Sequence, residues 1–166
     1  MTTDAAAQEF EQAHQMAVAY LGYSDRTVSQ VRTKLAQKGC SEALIDAVIA
    51  GLKRARLLDD AAYARRWIEY GLERRPAGSA KFAADLRRRG IDGGIIDSTL
   101  AEFADEVGSK EAALGLLQSR MSRYSGLERS VAERRMRDLL ARRGFDGETT
   151  RTAVEETLQS MVSVSE

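Results

Sequence analysis

Leu35-Ala36-Gln37-Lys38-Gly39-Cys40-Ser41, Leu86-Arg87-Arg88-Arg89-Gly90-Ile91-Asp92 and Leu140-Ala141-Arg142-Arg143-Gly144-Phe145-Asp146 are three copies of one short pattern. Their glycines, at 39, 90 and 144, stand 51 and 54 residues apart. A recurrence of that length is the mark of one supersecondary unit used repeatedly. The pattern describes a corner between two helices. A basic residue closes the first helix, Gly turns left-handed just past it, and an apolar residue folds back onto the last turn. Ser41, Asp92 and Asp146 then stand where the N-cap of the next helix belongs.

Working outward from the corners, each repeat has room for three helices. In the first, Phe10 to Leu21 carries Met16, Tyr20 and Leu21 on one side. Ser24 is positioned to cap a second helix with Val28, Val31 and Leu35, and Ser41 a third with Leu44, Ile45, Val48, Ile49 and Leu52. The second repeat opens at the Asp59-Asp60 caps, runs through Tyr63, Trp67 and Tyr70, and stops before Pro76, which has no amide hydrogen. Phe82 and Leu86 anchor its middle helix, and Ile95, Ile96, Leu100 and Phe103 its last. The third repeat uses Leu114, Leu117, Met121 and Tyr124, then Met136, Leu139 and Leu140. Its closing helix reads as weaker, because Thr150 replaces the apolar Ile45 and Ile96 of the other repeats. No run alternates with period two. The expectation is an all-α chain of three tandem three-helix repeats in an elongated, curved array. Residues 1–56 form repeat 1 with an acidic N-terminal helix, 57–106 repeat 2, and 107–166 repeat 3 with a frayed acidic tail.

The composition excludes several classes. With 43% hydrophobic and 30% charged residues and one proline in 166 residues, the chain is neither collagenous nor wholly disordered. Cys40 is the single cysteine, so no internal disulfide framework exists, which fits a reducing compartment. Met1 to Gln15 lacks the basic and apolar regions of a secretory signal, and no stretch approaches about 20 apolar residues. A cytoplasmic monomer is expected. His14 has no nucleophile or carboxylate spaced around it, and Cys40 occupies a position that is Ile91 or Phe145 in the other corners. There is no phosphate-binding Gly-rich loop and no Cys/His set at metal spacing. These residues describe no enzyme, no cofactor and no metal.

A net charge of zero conceals strong patterning. Lys and Arg are absent from the first 25 residues, then crowd residues 65–90 and 120–143, with an acidic stretch at 92–111 between. Solvated helix faces laced with i,i+4 pairs are one reading; basic bands for a polyanion are the other. The repeat alignment separates them in part. Lys38, Arg89 and Arg143 stand before the corner glycines, where the helix dipole favours cations. Lys81 and Arg135 lie near helix starts, where it does not, and share a side with Arg88 and Arg142 two turns on. Lys81, Arg88, Arg135 and Arg142 are therefore the candidate contacts to an anionic or nucleoprotein partner, with Arg87, Arg89 and Arg143 beside them.

The run Leu57-Leu58-Asp59-Asp60-Ala61-Ala62-Tyr63-Ala64, with Arg65-Arg66-Trp67 after it, resembles the hallmark of the RecX regulatory proteins, and the glycine corners match as well. The resemblance covers about residues 16–158. It implies a non-enzymatic regulator that binds the RecA recombinase and the RecA–DNA filament and restrains ATP hydrolysis and strand exchange, with weak contact to single- or double-stranded DNA. The same residues also fit a stand-alone helical nucleic-acid-binding module, or a general helical scaffold.

Overall fold

The computed structural model describes residues 2–163. Among these residues there are nine α-helices and no strand. The helices are α1 (Thr2–Tyr23), α2 (Val28–Gln37), α3 (Glu42–Arg54), α4 (Asp60–Arg74), α5 (Ser79–Arg88), α6 (Gly93–Glu102), α7 (Lys110–Gln118), α8 (Arg129–Arg142) and α9 (Gly147–Ser163). A 3-10 turn, Met121–Arg123, joins α7 to α8. Three successive sets of three helices are the repeats that the glycine corners announce.

All three corners fold alike. The amides of Cys40, Ile91 and Phe145 donate back to the carbonyls of Leu35, Leu86 and Leu140 at 3.2, 3.3 and 3.1 Å. The glycine amides reach Ala36, Arg87 and Ala141, and each glycine is left-handed, with φ of 84°, 76° and 74°. This is the Schellman pattern, in which the residue past the glycine packs on the helix it has just left. The caps follow, with Ser41, Asp92 and Asp146 accepting the amides of Leu44, Gly94 and Thr149. A fourth corner of the same form ends α3, where Leu57 donates to Leu52 and Arg56 adopts φ 55°. Without a glycine it left no mark in the sequence pattern.

The chain forms two compact units. One comprises residues 1–65 and 86–96, the other 66–85 and 97–166. In the first, Val31, Leu35, Ile45, Val48 and Leu52 form the centre of the core, with Ala13 and Ala17 of α1 against them. The expected α1 stripe of Met16, Tyr20 and Leu21 is thus displaced. Small alanines bring α1 close, Tyr20 and Leu21 are only partly covered, and Met16 is exposed. The second helix is capped by Thr27 rather than Ser24. Thr27 accepts the Gln30 amide while Gln30 returns a bond to the Thr27 amide, a reciprocal box. The two acids of the Leu-Leu-Asp-Asp run divide their work: Asp59 caps its own helix at Ala62, whereas Asp60 accepts the amide of Val28 at the start of α2.

In the second unit, Leu117, Met136, Leu140, Val154 and Leu158 form the centre of the core, with Tyr124 and Phe145 beside them. The closing helix is longer than its polar sequence suggests. α9 runs 17 residues, with Thr150, Val154, Thr157 and Leu158 buried. Thr157 is tolerated there because its hydroxyl donates to the Ala153 carbonyl. The expected tail beyond Ser163 lies outside the described residues. The aromatic residues of α4 differ from expectation too: Tyr63 is buried, Trp67 is half-buried and Tyr70 is 61% exposed. Further along, the Phe82 ring occupies the space where a side chain on Gly71 would stand. At the start of α5, the Gly78 amide donates to the Arg143 carbonyl, and Gly78 lies directly against the backbone of Gly144.

Candidate functional site

Helix α8 buries Ala132, Met136, Leu139 and Leu140 against the second core, which leaves a polar face turned outward. Arg135 and Arg142 lie on that face two turns apart, with Asp138 between them at the i+3 position. The 3-10 turn before α8 brings Arg120 and Arg123 to the same place. Together these side chains surround a hollow of about 280 Å³ whose wall includes Tyr124.

The hollow sets four arginines against one carboxylate, Asp138. The Tyr124 ring is buried, and burial holds its hydroxyl above the ordinary tyrosine range, while the nearby charges of Arg120, Arg123 and Arg142 pull it the other way. Arg120, Arg123, Arg135 and Arg142 form no ion pair among the described residues. On the same helix, Arg137 is paired with Glu133 at 2.7 Å. Of the arginines of α8, Arg137 is neutralised by its partner, while Arg135 and Arg142, like Arg129 and Arg134, form no ion pair among the described residues; Arg135 and Arg142 are the two that line the hollow. Planar guanidinium groups converging on one hollow are suited to phosphate or carboxylate oxygens, which they bind with two parallel hydrogen bonds.

The other expected residues are placed differently. Lys81 is half-buried near the start of α5 and paired with Asp85 at 2.6 Å, which accounts for a lysine at the wrong end of the dipole. Arg87 and Arg88 are exposed at the end of α5, in the first unit. Arg89 is half-buried; its Nε donates to the Tyr63 hydroxyl at 3.1 Å, and its carbonyl accepts the Thr27 hydroxyl at 2.7 Å. Arg143 reaches across to the end of α4, where its Nε and Nη2 donate to the Pro76 carbonyl at 3.0 and 2.8 Å and Nη2 also to that of Arg75. The helix-end carbonyls that Arg143 satisfies therefore belong to a different helix from its own. Burial lowers its pKa from the ordinary arginine value, and the like charges of Arg120 and Arg75 lower it further.

Sequence reasoning paired Arg135 with Arg142 but missed Arg120 and Arg123. A signal was present: Arg120-Met121-Ser122-Arg123-Tyr124 sets two cations just ahead of an aromatic residue in a non-periodic link. Among the described residues, no three His, Cys, Asp or Glu side chains gather as a metal site, and no helix is long and apolar enough to cross a membrane.

Comparison with known proteins gives a consistent family. The model of the first three-helix domain of RecX matches residues 13–52, and that of the second matches 59–100. The Regulatory protein RecX of Prosthecochloris aestuarii is 30% identical over 142 residues, covering 86% of this chain and 91% of that protein. That of Mycobacterium sp. strain JLS is 33% identical over 140 residues, or 81% of this chain and 75% of the relative. A Lactobacillus delbrueckii relative is 29% identical, and the chain spans 53% of its length. In three dimensions the crystal structure of RecX from Lactobacillus salivarius superposes with a TM-score of 0.80 at 24% identity, over 91% of this chain and 97% of that one, which establishes the shared fold. With two RecX domains matched in order and similarity that runs the length of a homologous regulator, this chain belongs to the RecX family of regulatory proteins.

Proposed function

We propose that this protein is a cytoplasmic, monomeric regulator of the RecA recombinase. It binds the RecA–DNA filament and slows ATP hydrolysis and strand exchange, and so modulates recombination, DNA repair and the SOS response. Membership of a family of regulatory proteins is the observation that carries this reading. The open arginines of α8 and the preceding turn supply a surface that would hold the filament, through acidic side chains of the recombinase or phosphates of its DNA. Arg135 and Arg142 are the central contacts in this reading, joined by Arg120 and Arg123. Exposed Arg87 and Arg88 add charge, Lys81 contributes less because Asp85 offsets it, and Arg89 and Arg143 act mainly by holding the fold.

The test is RecA ATP hydrolysis on single-stranded DNA, titrated with this protein and with the Arg120→Glu/Arg142→Glu variant. The native chain is expected to inhibit below stoichiometric amounts, and the variant to require roughly tenfold more protein, with helix content unchanged. Equal inhibition by both would remove the hollow from the site, and no inhibition at a several-fold excess of the native chain would overturn the regulator reading.

A second reading is favoured by the same open arginines, which also suit a phosphodiester backbone: a stand-alone nucleic-acid-binding module. It requires tight, steeply salt-dependent binding to naked DNA without RecA.

A further inference from the structure

A neighbouring depression of about 470 Å³, which shares Arg120 with the hollow beside α8, opens in the second unit where the end of α4, helix α7 and the corner after α8 meet. Arg74, Arg75, Arg120 and Arg143 line it, against one carboxylate, Glu73. Neither Arg75 nor Arg120 forms an ion pair among the described residues, and Arg74 lies 6.0 Å from the Tyr70 ring centre. Arg143 is locked by its bonds to the Pro76 and Arg75 carbonyls through Nε and Nη2, which leaves Nη1 with no protein acceptor among the described residues. Three guanidinium groups thus share one concavity that Glu73 alone of the carboxylates lines, with Asp85 acting on Arg143 from the neighbouring wall, and the mutual repulsion of Arg75, Arg120 and Arg143 is what a bound anion would relieve.

A second depression of about 330 Å³ adjoins it, sharing Arg75 and Arg143 as common wall. Its other lining is aromatic: Trp67, Tyr70 and Phe82, with the Lys81–Asp85 pair at one edge. Tyr70 leaves 61% of its surface in water, with the Arg74 guanidinium 6.0 Å from its ring centre, an accessible aromatic surface beside a cation cluster. A cationic floor joined to an aromatic wall matches a molecule that carries phosphates at one end and a flat ring at the other.

We propose that the two depressions together form a binding site for a free nucleoside di- or triphosphate, with the phosphates on Arg75, Arg120 and Arg143 and the base against Tyr70 and Trp67. The density of positive charge favours this ligand over a strand: one phosphodiester brings a single negative charge to the concavity, whereas a di- or triphosphate brings several. The combined cavity also lies in the range of small-molecule sites. The site supplies binding and orientation, and no chemical step is assigned to it. Its test involves no RecA, so its outcome and that of the filament reading are separable.

Trp67 is the only tryptophan, so its emission reports directly on the aromatic wall. The full chain is titrated with ADP, ATP, pyrophosphate and a short oligothymidylate, by fluorescence and in parallel by calorimetry. ADP and ATP are expected to bind saturably, with Arg75→Ala and Arg120→Ala each weakening binding by roughly tenfold while helix content is retained. Tyr70→Ala is expected to weaken ADP while leaving pyrophosphate unchanged in calorimetry, a separation that a merely structural effect would not give. The proposal is overturned if neither method detects saturable nucleotide binding at millimolar concentrations. It is equally overturned if the arginine variants bind as the native chain does, or if the oligonucleotide binds and ADP does not, which would make the site one for strand phosphates.

Discussion

Asp60 looks, from its place in the sequence, like half of a pair of caps for its own helix, and the structure gives it a partner 32 residues away. Its Oδ1 accepts the Val28 amide at 2.9 Å, so one carboxylate of the Leu-Leu-Asp-Asp run completes the start of α2. Desolvation at this half-buried position raises its pKa above the ordinary 3.8, against the lowering effect of the Val28 bond and of Lys53. The folded chain therefore takes up this proton more readily than the unfolded chain. Ionised Asp60 subtracts stability above its folded pKa, and that penalty disappears as pH falls from the raised value through the ordinary one. Asp60→Asn keeps the acceptor and removes the charge. It is expected to match or exceed the native stability at pH 7, with the difference shrinking as pH falls through that window, read from urea unfolding at several pH values. Asp60→Ala loses the acceptor and should cost about 1 kcal/mol. Legibility at this scale depended on distance along the chain. Ser41, Asp92 and Asp146 cap residues two or three positions ahead and were readable; Asp60 and Arg143 serve helix ends elsewhere and were not, while Thr27 caps its own helix three positions ahead and was passed over for Ser24.

At the scale of elements, three corners share one backbone but differ in surroundings. Gly39 is left-handed with open space where a side chain would stand, so Gly39→Ala carries only the conformational cost, about 1–2 kcal/mol. At Gly144 the added carbon would lie 2.7 Å from the Lys81 amide nitrogen, and at Gly78 1.8 Å from the Gly144 carbonyl oxygen. Backbone cannot yield as a side-chain tip can. Gly144→Ala and Gly78→Ala should therefore each cost more than Gly39→Ala, roughly 3 kcal/mol or above, in denaturant unfolding of the three variants side by side. Equal losses at all three positions would mean that the contact between α5 and the third corner contributes nothing. The same contact explains why Lys81, chosen from the sequence for its place on a basic stripe, is drawn into the fold and paired with Asp85. A stripe drawn on one helix records which residues share a side, while the neighbouring elements decide which of them remain open.

For the molecule as a whole, zero net charge is a poor guide to its electrostatics. Open arginines concentrate where the 3-10 turn meets α8, so association through them should weaken as salt rises. Inhibition of RecA is expected to fall between low and moderate ionic strength for the native chain, and the Arg120→Glu/Arg142→Glu variant should show a flatter dependence. A salt response unchanged by the substitution would place the contact elsewhere. By itself the sequence determined the helical class, the repeat and its corners, because helix periodicity, left-handed glycines and N-caps act over a few residues. It also determined family membership, through the Leu-Leu-Asp-Asp run and the matched domains. Only the tertiary structure decided which cations are open. Packing of α8 on the Met136 and Leu140 core sets Arg135 and Arg142 beside Arg120 and Arg123, and the Arg143 bonds to the end of α4 bring Arg75 near Arg120. Coulomb interactions depend on distance in space, and those distances are set by side chains far apart along the chain.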